Sequence, residues 1–311
     1  MAYPEARKYS GALAMNIKRG ISHMQYKKIL TRLLRYPEIT GEICDYLKND
    51  FLTSTGAYRY PYNILYVNGL IKSGSSWLGN MLAMIPGYNL RPINDPEGKT
   101  RSHDISEPVF SSLPKKRYSV MKLHTRFSEE NFEIIKKYVP KFVVTHRDLR
   151  DVCVARYFYV LADPKNELHN LYKSITKEEG ISYSIDTVRD FHAPWVNGWT
   201  NAASSNPEMI LVVRYEDLNS DTTNTLNRVL NFFDIKADNG LINRMADTKI
   251  RKEKDLAGAL KKDLPGKLRS TARKGIVGDW KNHFTKEHKN KFKQVAGGLL
   301  VELGYEKDDN W

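Results

Sequence analysis

NILYVNGLIKSGSSWLGNMLAMIPG, residues 63–87, carries the reading of the fold. Asn63–Val67 is a β-branched and aromatic apolar run that stops at Gly69, so it reads as a strand. From Ser75 to Ile85 the apolar residues Trp77, Leu78, Met81, Leu82 and Ile85 recur at helical spacing, and Pro86-Gly87 closes the run. Between strand and helix lies Gly69-Leu70-Ile71-Lys72-Ser73-Gly74-Ser75-Ser76-Trp77. A glycine here lets the backbone turn closely around an anion. The amides and dipole of the helix start favour negative charge. Lys72 adds a point charge, and Ser73, Ser75 and Ser76 add hydroxyls. The lysine precedes the glycine, whereas the triphosphatase loop ends in Gly-Lys-Ser/Thr. Read alone, the segment is either an anion cradle or an ordinary Gly/Ser turn, and Trp77 is either core or a wall for a purine.

Working outward, strand and helix signals alternate. Tyr118–Leu123, Phe142–Thr145 and Met209–Val213 read as strands. Ser128–Tyr138 reads as a helix capped by Ser128, with further helices over 149–161, 185–204, 222–233 and 286–303. Residues 91–113, rich in Pro, Asn, Asp, Ser and Gly, read as a long loop. The alternation predicts an α/β fold: a mostly parallel central sheet with helices on both faces, of the P-loop-containing nucleotide-binding type. Ligands of such sheets sit beyond the carboxyl ends of the strands. Residues 1–60 read as a partly helical leader segment packed on the domain (helices near 22–35 and 40–47), 61–305 as the domain and 306–311 as a tail.

The 311 residues include 49 Lys and Arg against 36 Asp and Glu, a net charge of +13. That excess favours polyanionic ligands without choosing among them. No apolar run reaches the roughly 18–20 residues of a membrane helix. The N-terminus has no compact apolar signal core, so a cytoplasmic protein without a membrane span is expected. Cys44 and Cys153 are too few for a disulfide framework, and no Cys/His cluster suggests a metal. No nucleic-acid module is recognisable, so no nucleic-acid partner is expected.

Two further segments carry chemistry. Met121-Lys122-Leu123-His124 ends the second strand, and alternation puts Lys122 and His124 on one side. Arg147 follows the third strand, in Val144-Thr145-His146-Arg147-Asp148-Leu149-Arg150-Asp151-Val152. There it offers a planar, permanently charged fork to a phosphate. Arg150 and Asp151 read as a local pair or a cap.

These segments resemble the cytosolic-type sulfotransferases that use 3′-phosphoadenosine-5′-phosphosulfate (PAPS). Ile-Lys-Ser-Gly-Ser-Ser-Trp-Leu at 71–78 is similar to that family's loop, with Ile71 in place of a proline. Lys122-Leu123-His124 matches its Lys-x-His, and Arg147 its 3′-phosphate arginine. Arg214-Tyr215-Glu216-Asp217-Leu218 and Arg273-Lys274-Gly275-Ile276-Val277-Gly278-Asp279-Trp280 match two later segments. The resemblance spans roughly residues 60–305 and implies roles for these positions. His124 becomes the base, with Lys72 and Lys122 at the sulfuryl group. Lys72, Ser73, Gly74, Ser75 and Ser76 hold the 5′-phosphosulfate, and Trp77 belongs to the same cofactor-binding set. Arg147, Arg273, Lys274 and Gly275 hold the 3′-phosphate, and Thr248 and Ile250 line the adenine. PAPS is then co-substrate, PAP the product, and no metal is required. Ala155 stands where the family has a phosphate-binding serine, with Arg156 or Tyr157 as substitutes. The acceptor is a small molecule, sugar or lipid with a hydroxyl or amine, its pocket shaped by 91–113 and 169–199. Tyr183, His192, Trp195 and Trp199 are either stacking groups there or helix core. Lys281, Thr285, Lys286 and Asn290 keep only half of the family's dimer motif, so a monomer, or a dimer built otherwise, is expected. The rival readings are a P-loop kinase and a non-catalytic polyanion binder.

Overall fold

The computed structural model describes residues 52–53, 56–248 and 275–311. The two helices expected within 1–60, and Ile250, Arg273 and Lys274, lie outside the described residues. In chain order the elements are β1 (Ile64–Gly69), α1 (Ser75–Leu82), β2 (Tyr88–Leu90), α2 (Pro108–Ser111), β3 (Tyr118–Leu123) and α3 (Glu129–Tyr138). Then come β4 (Phe142–His146), α4 (Leu149–Ala162), α5 (His169–Ser174), α6 (Lys177–Thr187), α7 (Ala193–Ser205) and β5 (Ile210–Arg214). The chain continues through α8 (Tyr215–Ser220), α9 (Thr222–Phe232), α10 (Asn239–Ala246) and α11 (Lys286–Glu302). A π-helical turn at Val188–His192 joins α6 to α7, and 3-10 turns occupy Lys99–Ser102 and Asp279–Asn282.

The five strands form one parallel sheet in the order β2-β3-β1-β4-β5. Strands covered on both faces must be apolar on both, and β1 and β4 are buried almost end to end. Leu65, Val67, Val120, Val143 and Val213 pack under α1, α9 and α10 on one face. Tyr66, Met121, Phe142 and Val144 pack on the other face, under α3, α4, α6, α7 and α11. The expected α/β architecture is therefore the one observed. β1 is central, with β2 and β3 to one side and β4 and β5 to the other. The chain reverses its direction of travel across the sheet at the β1–β4 boundary, where open α/β sheets place their ligand crevice.

Three local features depart from the expectation. β2 is a three-residue edge strand, too short to leave a periodic pattern, and it exists by pairing with β3. The helix expected over 185–204 is split by the π turn. The loop 91–113 contains two single-turn helices. Of the aromatic residues with two readings, Trp195 and Trp199 are core. Trp199 packs edge-on against Phe127, Phe132 and Phe142, and its Nε1 donates to the Thr125 carbonyl at 2.8 Å. Ser128 caps α3 as expected, accepting from the Asn131 amide at 3.1 Å, a contact worth about 1 kcal/mol.

Candidate active site

Strand register assembles the site. Leu123 at the end of β3 lies opposite Asn68, and Gly69 at the end of β1 lies opposite Thr145 of β4. His146 lies opposite Arg214 at the end of β5. Parallel neighbours are about 4.8 Å apart. His124, the loop after Gly69, Arg147 and Tyr215 therefore leave one edge of the sheet side by side.

The loop after β1 is tightly determined. A Cβ on Gly69 would lie 2.2 Å from Ser75 Cβ and 2.6 Å from Thr145 Oγ1, so only glycine fits. Ser73 is fully buried. Its Oγ donates to the Leu70 carbonyl at 2.6 Å and meets Thr145 Oγ1 at 2.7 Å. The hydroxyl expected to serve an anion thus ties the loop to β4, and Ser73 contributes rigidity instead. Gly74, at φ 80°, is the N-cap of α1, and no acid occupies the first turn. The first amide bonded inside the helix is that of Leu78, to the Gly74 carbonyl at 3.0 Å. The amides of Ser75, Ser76 and Trp77 are thereby left for an anion. Lys72 has φ 69°, a left-handed conformation uncommon for a residue with a Cβ, and its Nζ sits 4.6 Å above the Tyr159 ring of α4.

Lys122 and His124 meet as alternation requires. Lys122 Nζ is 2.5 Å from His124 Nε2, and His124 Nδ1 is 2.5 Å from the Gly69 carbonyl oxygen. A carbonyl only accepts, so Nδ1 carries the proton. Nε2 is then the lone-pair nitrogen, accepting from the Lys122 ammonium. Desolvation, with Lys122 adding to it, pushes His124 down to about 3. Desolvation together with Lys72 lowers Lys122 to about 8. The imidazole is neutral at pH 7, as a base must be.

Arg147 is the hub of the other half. It is 7% exposed, and its guanidinium lies over the Tyr215 ring at 4.4 Å. Nη2 donates to Asp151 Oδ2 at 3.0 Å and to the Ile276 carbonyl at 2.6 Å. Asp151 also accepts from the Gly278 and Trp280 amides, at 2.8 and 2.9 Å, pinning the 275–280 segment beside Arg147. Gly275, at φ 67°, accepts from the Tyr215 hydroxyl at 3.1 Å. Arg147 Nε is buried with no hydrogen-bond partner. A buried orphan donor on a permanent cation fits a missing oxyanion. On α4, Asp151, Ala155 and Tyr159 follow at four-residue intervals. This stripe runs about 12 Å from Arg147's partner to the ring beneath Lys72. Trp77 Nε1 donates to Thr248 Oγ1 at 3.3 Å, which brings the expected adenine-lining threonine to the loop.

Other partnerships differ from those expected. Arg150 pairs with Asp148 at 2.7 Å and Glu306 at 2.5 Å, while Asp151 pairs with Arg147. Asp151, in the first turn of α4, reaches back to Arg147 ahead of the helix, and Arg150 folds onto the N-cap Asp148. Neither proposed substitute for the missing serine approaches Arg147. Arg156 donates to the Tyr172 hydroxyl, and Tyr157 is 6% exposed in the core. In the segment read as a tail, Trp311 covers the Arg150 guanidinium at 4.4 Å from one side, with Trp280 at 4.0 Å from the other. Sequence reasoning missed Thr145, Asp151 and Tyr159. Only the four-residue spacing from Arg147 to Asp151 could have signalled one of them.

The sulfotransferase domain family matches residues 65–304, and the chain belongs to that family. Among its relatives, bovine sulfotransferase 1E1 is 24% identical over 262 residues, covering 74% of this chain and 82% of the relative. Cytosolic sulfotransferase 1 of Arabidopsis thaliana is 26% identical, covering 72% and 74%. The fold is similar to that of mouse sulfotransferase SULT7A1 complexed with PAP: TM-score 0.56, 19% identity, 81% of this chain and 89% of that one. Among the described residues no helix is long and apolar enough to cross a membrane. No group of three His, Cys, Asp or Glu among them is placed to hold a metal ion.

Proposed function

We propose that this chain transfers the sulfuryl group of PAPS to a hydroxyl or amine of a small acceptor, with His124 as general base, in the cytoplasm. The observation that carries this reading is the adjacency of the β3, β1 and β4 ends. It sets a lysine-bearing anion loop between a neutral histidine on one side and a buried arginine with an orphan donor on the other. The family membership and the PAP complex of a structural neighbour support it.

PAPS supplies the sulfuryl group and the phosphate that leaves. The residues here meet its two ends. Lys72, Gly74 and the amides of Ser75, Ser76 and Trp77 receive the 5′ end, with Ser73 bracing the loop from behind. Arg147 and the 275–280 segment, with Arg273 and Lys274 by the sequence match, receive the 3′-phosphate. Trp77 and Thr248 flank the adenine, together with Ile250. Sulfuryl transfer builds charge on the leaving oxygen, as phosphoryl transfer does, and fixed cations stabilise that charge. Lys122 turns from His124 Nε2 toward that oxygen. Nε2, thereby freed, takes the proton of the acceptor hydroxyl, while the Gly69 carbonyl holds Nδ1–H and keeps the ring in the right tautomer. Residues 1–60 and 306–311 flank this 61–305 unit.

Calorimetry tests the reading directly. PAP should bind at least about tenfold more tightly than AMP or ATP, because one added charge-assisted pair is worth about 1.5–3 kcal/mol. Equal affinity for the three nucleotides would overturn it.

A further inference from the structure

Around His124 lies a group of nitrogen-bearing side chains that transfer chemistry leaves unused. His103, in the 91–113 loop, has Nδ1 3.0 Å from the His124 carbonyl, so this nitrogen donates. Its ring packs 4.5 Å from Phe191, next to His192 in the π-helical turn. Such turns inside helices recur at functional sites. His192 is 1% exposed, and its Nδ1 is buried without a hydrogen-bond partner. The helix α4, which carries Arg156, packs against this π turn, and burial, with Arg156 and His103 adding to it, disfavours protonation of His192.

Arg156 sits on α4 one turn before Tyr159, the ring beneath Lys72, so both side chains share a helix face. Its guanidinium donates to the Tyr172 hydroxyl, which meets Ser184 Oγ at 3.0 Å. Ser184 Oγ in turn donates to the Gly180 carbonyl at 3.1 Å. Every proton in this chain points away from the arginine, and no member carries negative charge. No carboxylate among the described residues pairs with Arg156. The nearby Asp104 is gripped by both forks of Arg126 at 2.7 Å and by Asn131 at 2.9 Å. Arg156 is a partly exposed cation with no carboxylate partner among the described residues, beside a buried histidine whose Nδ1 lacks a hydrogen-bond partner, and an anion would complete both.

We propose that Arg156 and His192 form a subsite for an oxyanion carried by the acceptor itself, a carboxylate, phosphate or sulfonate, beyond the hydroxyl placed at His124. This rests on the sulfuryl-transfer reading and adds the substrate class: anionic hydroxy compounds, with Phe191 against the connecting body.

The test uses the full chain saturated with PAP, after PAP selectivity over AMP has been measured. Calorimetry compares matched acceptors on two scaffolds: 4-hydroxyphenylacetate, 4-hydroxybenzylphosphonate and 4-hydroxybenzenesulfonate against 4-methylphenol, and 6-hydroxyhexanoate against 1-hexanol. At least one anionic compound should bind about tenfold or more tightly than its neutral partner, and the ranking of the three phenolic anions identifies the oxyanion. Arg156→Gln should collapse that ratio toward one. Arg156→Lys should keep part of it, and unchanged PAP affinity in both variants shows that the fold is intact. Absence of any anionic preference in the natural protein, or its survival in Arg156→Gln, overturns the subsite. A failure of PAP selectivity would instead strike the underlying reading.

Discussion

Replacing Arg147 with methionine removes the charge and the fork while keeping a side chain of comparable length over the Tyr215 ring. Two separate effects follow. The first is on stability. Asp151, whose side chain is fully buried, loses Nη2 but keeps the Gly278 and Trp280 amides. The cost should therefore fall below the 3–5 kcal/mol typical of stranding a buried charge, and about 2–3 kcal/mol is expected. The second is on recognition. The 3′-phosphate of PAP loses a charge-assisted partner worth about 1.5–3 kcal/mol, or roughly 10–150-fold in affinity. AMP has no 3′-phosphate and should bind as before. Titration of both nucleotides into both proteins, well below the variant's melting temperature, measures the PAP/AMP ratio, which general loosening of the fold does not mimic. If PAP and AMP weaken equally, or neither weakens, Arg147 does not read the 3′-phosphate, and its orphan Nε has another explanation.

Three further outcomes are expected. His124→Ala should lower turnover by about two orders of magnitude or more while PAP affinity, followed by calorimetry, changes little. The kcat/KM value should fall as pH rises through about 8, because Lys122 in the free enzyme, depressed from the ordinary lysine range, loses its proton there; a flat kcat/KM profile from pH 7 to 9.5 would contradict this. Gly69→Ala should destabilise the protein by about 1–3 kcal/mol in denaturant melts and weaken PAP binding, since its Cβ meets Ser75 and Thr145 inside normal contact distance.

The alternation of strand and helix signals was legible residue by residue, because local periodicity reports which faces of a segment are buried. The strands at 118–123, 142–145 and 209–213 were found to within a residue or two. The site was legible wherever a motif combined residues close in sequence: Lys122 with His124, Gly74 opening α1, Ser128 capping α3. It was illegible where the partner is remote. Ser73 looked like a ligand because the sequence does not show that Thr145, 72 residues on, would take its hydroxyl. Arg156 looked like a phosphate ligand because nothing local points it at Tyr172.

The sequence alone determined the order and type of the longer elements, the glycine that turns the anion loop, and a set of cations at or just beyond strand ends. Tertiary structure alone decided that β3, β1 and β4 lie side by side, so that those cations converge. It also decided the tautomer of His124, through the Gly69 carbonyl 55 residues away, and the counter-charge of Arg147. The division follows from range. Dihedral preference and amphipathic period act within about a turn of helix or a pair of strand residues, whereas a hydrogen-bond partner and a protonation state depend on whichever groups the packed sheet brings within 3 Å.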